Sequence, residues 1–404
     1  GAYEIGVWKA LKKLNISYEI ITGTSVGALN GAFMVQNDYS KALKMWQNID
    51  FDLIFKDGFQ GDIHTFEGVK KLISMYGKGI IKGGMDVSRL EETIHHYINP
   101  TKFYQSNIQF GLVTVNLSTL KPITLSKDQI PREKLKDYLM ASATCFPAFK
   151  TKKISKEYYI DGGYYDNLPI DLAIQLGATE VIAVDIGGKK LFPQKSKHFA
   201  IPITYIKPKN DLGSFLVFDK LLAIHNMKLG FLDTMKVYRQ YEGNKLTFEK
   251  GELQKLILFA RPKIKKAMSR MLNHKNYDKI VIRDLKQLKK YEMLLSDEQQ
   301  LDQKIKDAIE TLGLFLFIPI TKVYKKNSYL KAIRTSFSKI KNLDLKMIET
   351  AIEKRDFSNF LDKQALIKYN YELFKRMDEQ GLLSMLLLSE KDFFASLYLS
   401  ILIN

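Results

Sequence analysis

Along the first 210 residues, apolar positions with helical spacing alternate with short apolar runs that are typical of buried strands. The helical spacing occurs at residues 4–14, 26–35, 39–48, 87–98, 131–143 and 168–176. The strand-like runs occur at residues 18–22, 108–115, 122–125, 158–160, 181–185 and 203–206. Residues 52–84 contain seven glycines, and we expect them to be rich in loops. Strands that alternate with helices predict an α/β domain with a mainly parallel sheet.

The pattern changes after about residue 210, and from residue 216 onward it is helical almost throughout. Helices are predicted at residues 218–240, 253–271, 278–295 and 302–311, and several more follow. We place a domain boundary near residue 245, where Gly243 and Asn244 interrupt the pattern. The sequence thus predicts an α/β domain over residues 1–245 and a mostly α-helical region over residues 246–404.

The apolar stretches bear on contact with membranes. The longest of them, residues 312–320 and 382–388, are well short of the ~20 residues that a bilayer-spanning helix needs. The closing segment, residues 382–403, has two interpretations. It either packs as part of the core of the second domain or lies in a membrane interface.

The charge is unevenly distributed along the 404 residues, whose net charge is +18. Residues 1–189 carry 22 basic and 20 acidic side chains, whereas residues 190–404 carry 40 and 24. The basic half could meet anionic lipid, an acidic partner or nucleic acid, or it could be a solvated lysine-rich surface. Lysine outnumbers arginine 53 to 9, which argues against nucleic acid because its recognition favours the fork of arginine. The single cysteine, Cys145, excludes an intrachain disulfide.

One segment carries a pattern typical of a nucleophile. A predicted strand runs into Gly23-Thr24-Ser25-Val26-Gly27 and then directly into a helix of small residues. A sharp turn from strand to helix exposes the serine hydroxyl, and glycines on either side avoid steric conflict in that turn. The amides at the beginning of the helix, those of Val26 and Gly27, then face a developing oxyanion. In the alternative interpretation, Ser25 only caps the helix.

A serine nucleophile needs a base, and two candidates follow from the residues. Of the six histidines, His198 is the one that fits a Ser-His-Asp triad, since it lies in a predicted loop. Asp161 comes directly after a predicted strand, and Gly162 and Gly163 let the backbone approach a site there. A carboxylate at a strand end lies at the carboxyl edge of an α/β sheet, where the turn at Ser25 is also expected. Burial there would raise the pKa of Asp161, whereas an Asp-Gly turn without a catalytic role is the plain alternative.

Several blocks, in order along the chain, resemble the patatin-like phospholipase family of the bacterial type. The blocks are residues 1–11, 23–31, 141–143, 146–147, 161–164, 166–169, 184–185 and 229–234, so the resemblance covers about residues 1–240. It implies a three-layer α/β/α fold and a Ser–Asp dyad that needs no histidine. Ser25 then carries over as the nucleophile, and Asp161 as the base that activates first the serine and later water.

One element of the family is matched only in part. The family has a glycine-rich loop after its first strand, and its amides form the oxyanion hole. Only Gly1 matches that loop. The expected oxyanion groups in this sequence are therefore Gly1 and the amides of Val26 and Gly27. We therefore expect the chain to be a fragment of a longer protein that is truncated at its N-terminus, and to be poorly active without the missing loop.

The resemblance implies a phospholipase A or lysophospholipase that cleaves acyl esters of phospholipids or other lipids. No cofactor or metal is expected, because no His, Asp or Glu cluster has the spacing of metal ligands. We expect a cytoplasmic protein with peripheral contact to an anionic membrane surface, and no nucleic-acid partner. Because the first residue is Gly1, only the residues before it would reveal a leader peptide. Two alternatives remain open: a triad esterase that uses His198, and a catalytically silent module that binds lipid or a partner.

Overall fold

The computed structural model describes residues 1–187, 201–272, 282–340 and 363–403, and it describes the side chains of all of these except 282–287, 380 and 388. The chain divides into two compact units, Gly1–Val237 and Tyr238–Asn404. None of the helices described in these ranges is long and apolar enough to cross a bilayer.

Unit 1 alternates helices with strands, as the sequence pattern predicts. Its helices are α1 (Ala2–Lys13), α2 (Val26–Val35), α3 (Tyr39–Gln47), α4 (Phe51–Ile54), α5 (Phe66–Ile81), α6 (Ser88–Tyr97), α7 (Pro100–Gln105), α8 (Leu135–Ser142), α9 (Ile170–Gln175) and α10 (Lys220–Val237). Its strands are β1 (Ile20–Thr24), β2 (Gln109–Asn116), β3 (Lys121–Ser126), β4 (Lys152–Ile154), β5 (Glu157–Asp161), β6 (Val181–Val184) and β7 (Ile203–Ile206). The α/β class is confirmed.

The central sheet is mixed, which corrects the prediction of a mainly parallel sheet. Its order is β1-β2-β5-β4, and β3 also pairs with β2. Only β1 and β2 pair in parallel in this sheet, while β3 and β5 run antiparallel to β2 and β4 runs antiparallel to β5. The connections explain the difference, because β2–β3 and β4–β5 are hairpins, and a short hairpin joins antiparallel strands. A separate parallel pair is formed by β6 and β7.

Helices cover both faces of the central sheet, so the predicted three-layer α/β/α arrangement is confirmed. On one face Phe110 of β2 lies against α2, since a side chain at Gly31 would come within 3.1 Å of its ring. On the other face the next residue, Gly111, lies against α9, where a side chain would meet Leu172 at 2.8 Å. Neighbouring residues of a strand point to opposite faces, so the sheet lies between the two helices.

Helix α5 overturns the prediction that residues 52–84 are rich in loops. Sixteen of these residues form one helix, whose N-terminus is capped by the Thr65 side chain accepting a hydrogen bond from the Gly68 amide. Two of its glycines serve packing: a side chain at Gly68 would collide with the Asp62 carbonyl oxygen, and one at Gly79 with Met85. Counting glycines as turn signals therefore failed, because these two provide room for close contact within a helix.

Unit 2 is mostly helical, as predicted. Its helices are α11 (Glu252–Leu272), α12 (Ile282–Ser296), α13 (Glu298–Phe315), α14 (Lys326–Phe337), α15 (Lys363–Arg376), α16 (Glu379–Leu388) and α17 (Glu390–Ile403). A small sheet that the sequence did not predict is formed by β8 (Tyr241–Glu242), β9 (Thr247–Glu249) and β10 (Val323–Tyr324).

The apolar closing segment belongs to the core of unit 2. On α17 the side chains of Phe393, Phe394, Leu397 and Tyr398 are all buried. They pack in one cluster with residues of α11, α13 and α15. Of the two interpretations of this segment, the structure therefore supports core packing, and these buried side chains are not available to a membrane.

Candidate active site

The turn at Ser25 joins β1 to α2 and has an unusual backbone conformation. Ser25 has φ 58° and ψ −127°, a backbone conformation that residues other than glycine rarely adopt. The residue is held there by its amide, which donates to the Ser142 hydroxyl oxygen at 2.9 Å. Strained backbone of this kind persists only where the surroundings fix it, and it is concentrated at functional sites.

Ser25 and Asp161 are in direct contact. The Ser25 hydroxyl donates a hydrogen bond to Asp161 Oδ2 over 2.6 Å. The other carboxylate oxygen, Oδ1, accepts from the Gly163 amide at 2.7 Å. One oxygen is thus held by the backbone while the other faces the serine, so the carboxylate is oriented before any substrate binds.

The register of three strands explains how these two residues meet. Thr24 at the end of β1 lies opposite Val113 of β2, and Asp161 at the end of β5 lies opposite the next residue, Thr114. Because β5 is antiparallel to β2, Asp161 is not at a shared carboxyl edge, which corrects the reasoning from a parallel sheet. It reaches Ser25 because β5 pairs only with residues 114–116 of β2 and ends there.

Burial changes the acid strength of Asp161. The side chain is almost fully enclosed, and loss of hydration raises the pKa of Asp161 to about 6, although the hydrogen bonds from Ser25 and Gly163 act in the opposite direction. A carboxylate with this pKa is a stronger base than an ordinary aspartate and is still ionised at neutral pH. The site therefore holds a hydroxyl next to a base suited to remove its proton.

The glycines around the two side chains have different steric roles. A side chain at Gly23 would lie 2.4 Å from the backbone of Gly27, and one at Gly162 would lie 2.2 Å from the Val113 carbonyl oxygen. At Gly163 a side chain would collide with Asn167, whereas at Gly27 it would make only an ordinary 3.8 Å contact with Glu4. Close backbone approach thus requires Gly23 and Gly162 but does not require Gly27.

The amides of Val26 and Gly27 lie at the beginning of α2, directly after Ser25. The first amides of a helix have no partner within the helix, and in the described part of the chain neither amide finds an acceptor elsewhere. Gly1 lies beside the same helix, where its carbonyl oxygen accepts from the Asn30 side chain at 3.1 Å. Asn30 comes one turn after Val26, so Gly1 is close to the N-terminal turn of α2.

Ser142 is a site residue that reasoning from the sequence did not single out. Its hydroxyl is fully buried, donates to the Val113 carbonyl oxygen at 2.7 Å and accepts from the Ser25 amide. It therefore ties the turn at Ser25 to β2. The signal was present, because residues 141–143 form one of the blocks that resemble the family, but no role was assigned to them.

None of the histidines that the structure describes is hydrogen-bonded to Ser25 or Asp161. Of the histidines that the structure describes, His64 lies 3.8 Å from Asp219 and His95 lies 4.0 Å from Glu91. His198, the triad candidate, lies outside the described residues. Within the described ranges, no group of three or more His, Cys, Asp or Glu residues is arranged to hold a metal ion.

Comparison with known proteins shows which proteins the chain is similar to. Residues 1–174 match the family described as patatin-like phospholipase. Lysophospholipase nte1 of Aspergillus terreus is 29% identical over 199 residues, which are 46% of this chain and 11% of that protein. Patatin-like phospholipase domain-containing protein 6 of Homo sapiens is 24% identical over 196 residues, 47% of this chain and 13% of that protein. Patatin-like protein 2 of Arabidopsis thaliana is 30% identical over 217 residues, 50% of this chain and 48% of that protein. The matched region thus spans less than half of each of these relatives.

Proposed function

Since residues 1–174 match the patatin-like phospholipase family, we propose that the protein is a serine lipid acyl hydrolase that uses Ser25 and Asp161 as a catalytic dyad. The observation that carries this proposal is the 2.6 Å hydrogen bond from the Ser25 hydroxyl to the Asp161 carboxylate. The bond joins a nucleophile on a strained turn to a buried base without an intervening histidine. Relatives with the names lysophospholipase and patatin-like phospholipase support the choice of a lipid ester as substrate.

In the first half of the reaction, Ser25 Oγ attacks the ester carbonyl carbon while Asp161 Oδ2 accepts the hydroxyl proton. The carbonyl oxygen becomes an oxyanion, which the amides of Val26 and Gly27 and the N-terminal dipole of α2 would stabilise. The tetrahedral intermediate then collapses. The bond to the alcohol breaks, Asp161 returns the proton to the leaving oxygen, and the acyl group stays on Ser25 as an ester.

In the second half, water replaces the alcohol. Asp161 removes a proton from the water as its oxygen attacks the acyl carbon, and the intermediate releases the fatty acid and restores the Ser25 hydroxyl. For a phospholipid the first product is a lysophospholipid, and for a lysophospholipid it is the glycerophosphodiester that has lost its last acyl chain. The same carboxylate thus acts twice as base and twice as acid, and its hydrogen bond to the Gly163 amide keeps it in one orientation throughout.

The dyad and a triad with His198 predict different results for one substitution. Replacing His198 with Ala in the full-length protein should leave hydrolysis of lysophosphatidylcholine within about twofold of the wild type, because the proposed base is Asp161. The release of fatty acid is measured, with Ser25→Ala as the inactive reference. A loss in His198→Ala as large as that in Ser25→Ala would replace the dyad with a triad.

The pH dependence follows from the acid strength of Asp161. Only the ionised carboxylate can accept the serine proton, and burial raises the pKa of Asp161 to about 6. We therefore expect kcat/KM for a soluble ester to fall about tenfold per pH unit below this value and to level off above it.

The measurement is the hydrolysis rate of p-nitrophenyl butyrate between about pH 4.5 and about pH 8. Samples held at the lowest pH and returned to neutral pH serve as the control for unfolding. A rate that stays constant down to the lowest pH would contradict the role of a buried carboxylate with a raised pKa.

A further inference from the structure

An exposed apolar stripe follows the length of α5 in unit 1. We define the α5 stripe as Phe66, Val69, Ile73 and Ile80, which recur at helical spacing on one side of the helix. Phe66 is 77% exposed and Ile73 is 68% exposed, and beyond the stripe Ile81 is 87% exposed. Single exposed apolar residues are ordinary on a protein surface, but a continuous row on one helix indicates an interaction site.

The inner face of α5 is occupied separately, so the stripe is not misplaced core. Gly68, Leu72 and Gly79 are buried on the inner face, and the ring centres of Tyr76 and Phe55 lie 6.0 Å apart. These residues fall within one sector of a helix with 3.6 residues per turn, next to the sector of the stripe. The helix therefore has a face packed on unit 1 and a second apolar face that remains in solvent.

Lys70 borders the stripe, and three more lysines lie farther round the exposed side of the helix. Lys70, Lys71, Lys78 and Lys82 are all exposed on or directly after α5, whereas Glu67 is the one acidic residue among positions 66–82. Lys70 Nζ also lies 4.5 Å from the centre of the Phe66 ring. The exposed side of α5 thus carries apolar side chains along one edge and lysines towards the other. Such a side matches an anionic lipid surface, whose acyl chains would meet the apolar side chains and whose headgroup phosphates would meet the lysines.

Helix α5 is connected through short contacts to the segment that precedes the catalytic carboxylate. Gly79 packs on Met85, and the amide of Met85 donates to the Ala148 carbonyl oxygen at 2.8 Å. Ala148 lies in the segment that begins at Thr144, whose carbonyl oxygen accepts from the Asp161 amide at 2.8 Å. The stripe thus lies on the same compact unit as Ser25, and these contacts link its helix to the segment that pairs with Asp161.

We infer that the α5 stripe and its lysines are the surface by which the protein binds an anionic lipid bilayer, an inference that rests on the proposed lipid acyl hydrolase function. An enzyme whose substrate stays in a bilayer must hold its site at that surface. The charge distribution points to the basic half, residues 190–404, for this contact, but most apolar side chains of its closing helix are buried. Helix α5 offers both exposed apolar area and positive charge at one place.

Binding to vesicles tests this surface in the full-length protein. Ser25→Ala serves as the background, so that lipid is not hydrolysed during the measurement. Phe66→Ser with Ile73→Ser should reduce co-sedimentation with phosphatidylcholine vesicles containing roughly a third phosphatidylglycerol by at least about tenfold. Replacing Lys70, Lys71 and Lys78 with Gln should weaken binding to the same vesicles by about fivefold for each lysine, and not change binding to pure phosphatidylcholine.

The control is Leu120→Ser with Met293→Ser, which removes two apolar side chains of similar exposure, 66% and 72%, that are not part of α5. This control should bind vesicles as the background protein does. Equal binding by the stripe variant and the control would overturn the inference. Concentration-dependent association of the protein in solution that Phe66→Ser with Ile73→Ser abolishes would also overturn it, because the stripe would then bind a second copy.

A soluble ester separates this inference from the proposed function. With Ser25 restored, the stripe variant should hydrolyse p-nitrophenyl butyrate at the wild-type rate and lose activity only on vesicles. If the wild type hydrolyses neither substrate while the stripe still determines vesicle binding, the proposed function fails and the docking surface stands. If the wild type is active on both and the stripe variant keeps full activity on vesicles, the docking surface fails alone.

Discussion

Replacing Asp161 with Asn lowers kcat/KM for ester hydrolysis by about 10⁴-fold or more, because the base that accepts the serine proton is lost. An amide has nearly the shape of the carboxylate, and its oxygen can still accept from the Gly163 amide as Asp161 Oδ1 does at 2.7 Å. The substitution therefore removes basicity and leaves the geometry of the turn in place. Release of fatty acid from lysophosphatidylcholine by the full-length protein measures the effect.

The dyad also predicts that the losses of activity in Ser25→Ala and Asp161→Asn do not add in the double variant. Ser25→Ala should cost about as much as Asp161→Asn, and the double variant should be no slower than either single variant, because residues that act as one unit lose their function together. A loss of less than about tenfold in Asp161→Asn would contradict the assignment of the base.

Thermal unfolding is the control for the integrity of Asp161→Asn. Because the pKa of Asp161 is raised to about 6 in the folded protein, its ionisation opposes folding. The stability that comes from keeping Asp161 protonated is fully present below the pKa of the unfolded carboxyl, about 4. It is lost as the pH rises through the pKa of the folded protein. The Asn variant escapes this loss, so at neutral pH its free energy of unfolding should exceed that of the wild type by up to about 3 kcal/mol. Its melting temperature should therefore be the same or higher.

Replacing Gly23 with Ala should disable the site through the backbone. The new methyl group would lie 2.4 Å from the carbonyl carbon and oxygen of Gly27 and 2.6 Å from the Ala28 amide nitrogen. Backbone atoms cannot move away as a flexible side chain could, so the turn from β1 to α2 must shift. A displacement of about 1 Å at a nucleophile costs on the order of 10²-fold in rate, and overpacking costs about 1–3 kcal/mol of stability. Ester hydrolysis and the melting temperature measure the two effects.

Gly27→Ala is the matched variant for the stability measurement. Its methyl group would make only a 3.8 Å contact with Glu4, and an alanine in a helix is favoured over glycine by roughly 0.5–1 kcal/mol. The melting temperature of Gly27→Ala should therefore equal or exceed that of the wild type, while that of Gly23→Ala falls. Equal melting temperatures for the two variants would contradict the steric argument.

Ser25 and Asp161 can be singled out from the sequence, but the path by which they meet cannot. Ser25 is recognisable because a strand, a Gly-x-Ser-x-Gly turn and a helix follow one another without a gap, and the local backbone then fixes its exposure. The family resemblance pairs Asp161 with Ser25 and the structure shows them in contact, but β5 is antiparallel to β2, so the argument from a parallel sheet is wrong. The direction and register of β5 depend on pairing with β2, some 45 residues earlier in the chain, and no local pattern records such long-range pairing.

Two other differences between the sequence-based predictions and the structure also arise from contacts that no local pattern shows. The glycines of residues 52–84 predict many loops where α5 lies, because a glycine that makes room for a neighbour is indistinguishable in sequence from one that makes a turn. Ser142 received no role because its importance lies in two hydrogen bonds to residues far away in the chain, Val113 and Ser25. Local elements can thus be predicted from periodicity, whereas contacts between them require the fold.

The central claim is that Asp161 directly activates Ser25. The rate at which a fluorophosphonate labels the full-length protein tests it most directly, with the adduct located by mass spectrometry of peptides. The account predicts a single adduct on Ser25 in the wild type, and labelling at least about 10³-fold slower in Asp161→Asn. Absence of labelling in the wild type, an adduct elsewhere, or equal rates in the two proteins would contradict it.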